Sequence, residues 1–170
     1  MVAAVSSAWV PVEDGATGIR FGLPAQPETS RTTQPSRTGP DVERRQYRVF
    51  VDFVQVTVTI DSGVDKPVRF GDPAAIATGL AAQSRAEGDR NVQVVDREKI
   101  TVQGRPALDF RLVYTPKKWT DGRTVSVFVR AVQARAAMVV MQTFFPPPPD
   151  VSPSTGPALQ AKLVAGLTLA

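Results

Sequence analysis

Arg45-Gln46-Tyr47-Arg48-Val49-Phe50-Val51-Asp52-Phe53-Val54-Gln55-Val56-Thr57-Val58-Thr59-Ile60 is the stretch on which the fold turns. Tyr47, Val49 and Val51 alternate with Arg48, Phe50 and Asp52, and Val54, Val56, Val58 and Ile60 alternate with Gln55, Thr57 and Thr59. A period of two, rich in β-branched residues, is the signature of half-buried strands. The stretch is too long for one typical strand, so a tight hairpin is expected near Asp52. No Asn-Gly or Asp-Gly marks it. Asp61-Ser62-Gly63 ends the second strand.

Moving outward, Ile19, Phe21 and Leu23 alternate with Arg20 and Gly22, a short strand stopped by Pro24 and Pro27. Glu28 to Asp41, rich in Ser, Thr, Pro and Arg, has no periodicity and reads as an exposed loop. Asp72-Pro73 opens a helix as N-cap and first helical residue, and Gly88 stops it after Glu87. Its apolar stripe is thin: Ile76 and Leu80, with Ala77 or Gln83-Ser84. Such a helix must lie on a sheet through small residues.

Four more strands follow. Val92–Asp96 with Lys99–Val102 precedes a turn at Gly104. Leu108, Phe110, Leu112 and Tyr114 line one face of the next strand. Val125, Val127 and Val129 alternate in another, and Ala136–Phe145 is continuously apolar, as in a central strand. Pro146–Pro149 is a polyproline II stretch. Pro157–Leu167 closes the chain as a helix with Leu159, Leu163 and Leu167 inward, and Leu167–Leu169 is a candidate last strand. The links are short, so the sheet is expected to be antiparallel. The expected architecture is α+β: a sheet of about six to seven strands sandwiched between two main helices. Residues 1–8 are set apart as an N-terminal tail or remnant, and residues 9–170 form one α+β domain.

Composition narrows the chemistry. Among 170 residues there is no histidine and no cysteine. Disulfides, thiolate metal sites, Ser-His-Asp and Cys-His constellations are thereby excluded, leaving carboxylate or lysine chemistry. Glu13-Asp14 and the pair Asp61 and Asp65 read as solvated turn acids rather than two carboxyls facing across a cleft. Asp61-x-Gly-x-Asp65 lacks the later Glu of a calcium loop, and Gly15-x-x-Gly18 lacks the strand, helix and Lys of a phosphate loop. No catalytic residue, cofactor or metal site is therefore assigned. The formal charge of +4 and pI near 9.8 come from interspersed charges, with arginine about threefold over lysine. That is coding bias rather than the clustered basic face of a nucleic-acid binder. No apolar run reaches the ~18–20 residues of a membrane helix.

Asp109 and Arg111 share a strand face with Arg130 as a candidate cross-strand neighbour, and an ion pair on the solvent face or beneath a helix is expected; a polar cluster gripping a ligand is the alternative. Lys117-Lys118-Trp119 is the most site-like feature: a Trp beside two cations suits a protein partner, an anionic lipid or a sugar. The alternative is that Trp119 folds back to cap the sheet edge. Arg44-Arg45, the polar start of a strand, is carried as a second candidate contact.

Several motifs in fixed order give a further lead. Trp9 is followed by Phe21-Gly22-Leu23-Pro24-Ala25-Gln26-Pro27. Gly104-Arg105-Pro106-Ala107-Leu108-Asp109 and Val127-Phe128-Val129-Arg130 come later, and Leu167-Thr168-Leu169 ends the series. Over residues 9 to 169 this resembles the Mog1/PsbP-like group, in particular the LpqN-type actinobacterial envelope lipoproteins. The resemblance implies an antiparallel sheet between helices and a non-catalytic accessory or adaptor role in the cell envelope, outside the cytoplasm, through an envelope protein partner. A cytoplasmic place is the alternative location. It assigns no catalytic residues. The lipid-bearing Cys of a lipoprotein is missing, so membrane association would require an anchor or leader already removed from this chain. The alternative function is a carrier of a lipid or other small apolar ligand between helix and sheet.

Overall fold

The structure, a computed structural model, describes residues 8–146 and 152–170. The strands are β1 (Val10–Glu13), β2 (Arg20–Leu23), β3 (Glu28–Gln34), β4 (Val42–Val51), β5 (Val54–Gly63), β6 (Arg90–Val102), β7 (Arg105–Thr115), β8 (Val125–Gln133) and β9 (Ala137–Phe145). Helix α1 (Ala74–Glu87) precedes β6, and α2 (Thr155–Ala165) follows β9. Seven strands form one antiparallel sheet in the order β3-β4-β5-β9-β8-β7-β6, and β1 and β2 form a separate two-stranded ribbon.

The deciding stretch folds as expected. Val51 pairs with Val54, and Asp52 turns the chain with φ 51°. At the next hairpin Val102 pairs with Arg105. Gln103 and Gly104 take φ 49° and 76°, the left-handed pair that matches strand twist in a two-residue turn. Asp72 Oδ1 accepts from the Ala74 N–H at 2.8 Å, Pro73 is already helical, and Gly88 ends α1 at φ 94°.

Two expectations are corrected. Glu28–Asp41 is not all loop, because Glu28–Gln34 pairs with β4 as the edge of the sheet. All seven residues of β3 are exposed, so neither face carried an apolar signal. The strand containing Phe21 lies not in the main sheet but in the ribbon, with Val10–Glu13 as its partner. Leu167–Leu169 contributes a single bridge, Arg20 to Thr168. The tail at 1–7 and most of the proline run lie outside the described residues.

The sheet is apolar on diagonal halves. On one face Val49, Val56, Val58, Ile60, Val139 and Met141 are buried beneath α2 and the ribbon. On the other, Leu108, Phe110, Leu112, Val127, Val129 and Val140 are buried beneath α1, which rests on them through Ala77, Ala81 and Ser84. Alternation along each strand places these sets on opposite faces.

Candidate functional site

The sequence candidates are not gathered in one place. Lys117, Lys118 and Trp119 lie in the β7–β8 turn, beside the C-terminal end of α1. There the Lys117 N–H donates to Asp89 Oδ1 at 3.1 Å and Arg90 Nη2 donates to the Trp119 carbonyl at 2.5 Å. Trp119 is half-buried against the apolar cluster under α1, and the Arg123 guanidinium lies 4.7 Å from its ring centroid. The ring therefore closes the end of the core and keeps one side near solvent. Lys118 is exposed.

Arg44 and Arg45 are neighbours in sequence and point to opposite faces. Arg45 is 4% exposed and grips the fully buried Asp14 through Nε at 2.6 Å and Nη2 at 3.1 Å. It also donates to Glu43 at 2.8 Å and Ser62 at 2.9 Å, and Tyr47 Oη donates to Asp14 at 2.7 Å. This knot ties the loop after β1 to β4. Arg45 is thus held inside this knot by Asp14, Glu43 and Ser62 rather than displayed as an open polar strand start. Burial raises the Asp14 pKa, but hydrogen bonds from Arg45, Thr17 and Tyr47, with the Arg45 charge, outweigh that and hold it below the usual carboxylate value. Burial, then the bond to Asp14 and its charge, push Tyr47 up to about 12.

Arg44 faces the other side and forks onto Asp61 at 2.8 and 2.7 Å. Asp109 and Arg130 pair in the same way across β7 and β8, both bonds at 2.7 Å, while Arg111 instead reaches Asp96 at 2.9 Å. Of the acids singled out, Asp14, Asp61 and Asp109 each hold an arginine, and Glu13 and Asp65 are exposed. Among the described residues no group of three or more acidic, His or Cys side chains is placed to hold a metal. No helix among them is long and apolar enough to cross a membrane.

A groove lies beside α1, where the helix leaves β4, β5 and β9 bare; the carrier alternative placed a ligand between helix and sheet, but sequence reasoning assigned it no lining residues and expected an apolar lining. It is an open cleft of about 420 Å³. Its floor is built by pairs that share a face: Arg44 with Asp61, Gln46 with Thr59, Arg48 with Thr57, then Thr59 with Val140 and Thr57 with Gln142. Ile76, Gly79, Leu80 and Gln83 of α1 form one wall and Phe144 closes an end. The polar alternates Gln46, Arg48, Gln55, Thr57 and Thr59 were legible as the second face of the deciding stretch. That this face stays uncovered was not, since the position of α1 is set by residues further along the chain.

No family model matches the chain, and no curated protein matches it in sequence. Solved structures do match. Cyanobacterial PsbP (CyanoP) from Synechocystis superposes with TM-score 0.62 at 12% identity, over 100% of this chain and 98% of that one. A protein of unknown function from Pseudomonas aeruginosa gives TM-score 0.40 at 12% identity, over 91% and 93% of the two chains. With the antiparallel sheet, its two covering helices and the ribbon, the chain has a PsbP-like α+β fold.

Proposed function

We propose that the chain is a non-catalytic accessory or adaptor domain of the bacterial cell envelope, working outside the cytoplasm by protein–protein binding. The observation that carries this reading is the contrast between the two edges of the main sheet. Edge β6 is broken by register shifts near Asn91 and Asp96, both at positive φ, and Asp96, Arg97, Glu98 and Lys99 crowd it. Bulges and charges of this kind deter strand addition. Edge β3 pairs with β4 in unbroken register from Glu28 to Gln34 and has no bulge, lysine or proline. A free edge of that length is a template for an extended segment of another protein. The envelope setting is supported by the resemblance of the motif order to the LpqN-type proteins.

Proline scanning of β3 tests the reading. Successive N–H groups along a strand point alternately to its two sides, so of Thr32→Pro and Thr33→Pro one breaks the bond to β4 and the other only blanks the outer edge. The variant that keeps the wild-type melting temperature identifies the outer position. Cross-linking on native envelopes should then capture a partner with wild type and not with that variant. Equal capture by both, also unaffected by Trp119→Ala, would end the proposal.

A further inference from the structure

The groove beside α1 has a charge that its own lining leaves unanswered. The cations among its lining residues are Arg44 and Arg48. Arg44 is neutralised by Asp61 at 2.7 Å. Arg48 Nε is buried and has no hydrogen-bond partner, and no carboxylate among the described residues forms an ion pair with Arg48. Glu28, its cross-strand neighbour on β3, is exposed and does not reach it. A buried donor on a charged group is costly to leave unpaired, so such a group calls for an acceptor from outside.

The surroundings define that acceptor. One uncompensated guanidinium balances one negative charge, and its planar fork matches a carboxylate. Thr57 and Gln142 continue the row beyond Arg48; the Thr57 hydroxyl accepts from Gln55 Nε2 at 3.1 Å and keeps its proton for a peptide C=O, and the Gln142 amide suits either a peptide N–H or C=O. Ile76, Leu80 and Phe144 offer an apolar wall on the α1 side. A volume of about 420 Å³ lies within the range of ligand pockets, roughly 300–1,000 Å³, and suits a few residues rather than a domain.

We infer that this groove is a peptide-carboxylate site: it takes a short segment of a partner protein in which a carboxylate sits beside an aliphatic side chain. Arg48 holds the carboxylate, Thr57 and Gln142 bond the adjoining peptide group, and Ile76 and Leu80 cover the aliphatic side chain. The inference rests on the binding reading above and names the group recognised, at a surface distinct from the β3 edge.

The test is a titration of the ¹⁵N-labelled full chain, followed by amide chemical shifts. Four probes are used: Ac-Leu-Glu-Leu-NH₂, Ac-Leu-Gln-Leu with a free C-terminal carboxylate, the fully amidated Ac-Leu-Gln-Leu-NH₂, and inorganic phosphate. Shifts confined to β4, β5, β9 and α1, saturating with at least one carboxylate peptide and absent with the amidated one, are expected. Whichever peptide saturates tells a side-chain carboxylate from a chain terminus. Arg48→Gln should weaken that binding by about tenfold or more, since a charge-assisted hydrogen bond is lost. Gly79→Leu should also block it from the helix side, where a Cβ would meet nothing within 4 Å, and a melting temperature equal to that of wild type verifies that its fold is kept. Equal shifts with the amidated peptide, full affinity in Arg48→Gln, or phosphate competing as well as the peptides would each overturn the inference. So would no shift from either carboxylate peptide. Loss of the site with β3-dependent capture intact would leave the edge reading standing.

Discussion

Asp14 is fully buried in a loop that the sequence marks as solvated. Its pairing with Arg45 spans 31 positions, and no local pattern announces such a contact; Glu13-Asp14 and Arg44-Arg45 each look like exposed polar dipeptides. Asp109 with Arg130 was legible because both sit at known phase on neighbouring strands. Removing one partner of a buried ion pair strands the other, and Asp14→Asn should cost about 3 kcal/mol, the low end of the usual loss, because Glu43 still holds Arg45. The same knot shapes the pH dependence. The Asp14 carboxyl is depressed in the folded chain from 3.8. Its stabilisation is therefore complete above that value and is lost as pH falls through the lower folded one. Tyr47 is raised from 10.0 to about 12, so its contribution is complete below pH 10 and is lost as pH rises towards 12. Urea unfolding across pH should show both limbs. Asp14→Asn should flatten the acid one and Tyr47→Phe the alkaline one; unchanged limbs in these variants would show that other groups set the profile.

At the scale of elements, what the sequence displayed was whatever buried one face. β4, β5, β7 and β8 alternate because one side of each meets a core, β9 is apolar on both sides because both meet one, and α1 carries its cap and its stop in plain view. β1 and β3 were hidden for the complementary reason: β1 has Pro11 in its middle, and β3 buries nothing. Thr29, Thr32 and Thr33, with no proline before Pro35, were the available hint of strand propensity. Helix α2 shows how an element's placement can rest on one residue. Its stripe of Leu159 and Leu163 was readable, but the closeness of its approach was not. Gly156 is buried in its first turn, and a Cβ there would come within 2.7 Å of Phe145 Cγ and 3.0 Å of Phe128 Cε2. Both rings lie on packed strands, so they cannot give freely. Gly156→Ala improves helix propensity by up to ~1 kcal/mol, yet overpacking costs typically ~1–3 kcal/mol. Net destabilisation of about 1 kcal/mol is expected in denaturant unfolding. A stabilised variant would mean that α2 can slide away from β8 and β9 at no cost.

The whole molecule is organised by the diagonal cover of its sheet. Each face is apolar on one half and polar on the other, and the two apolar halves are offset, so each helix shields its own half and leaves the groove or the Asp109–Arg130 face open. Periodicity announced two-faced strands, but not that the faces exchange character along the sheet, which emerges only from the strand order. The two cores meet at β9, whose Val139 and Met141 face α2 and the ribbon while Met138 and Val140 face α1. β9 is bonded to β5 on one side and β8 on the other, so it cannot open without giving up both cores, and β5 cannot open without giving up the core beneath α2 and the ribbon. Central strands, bonded to a neighbour on each side and packed on a core, exchange their amide hydrogens only through global unfolding, whereas exposed edges open locally. Amides of Val58, Ile60, Val139 and Met141 should therefore show the highest protection, equal to one another and tracking the unfolding free energy in denaturant. Those in β3 and β1 should exchange through local openings that ignore denaturant. If the β8–β7 amides outlasted those of β5, α1 and its half of the sheet would be the last unit to open, and β9 would not be the common wall on which both cores depend.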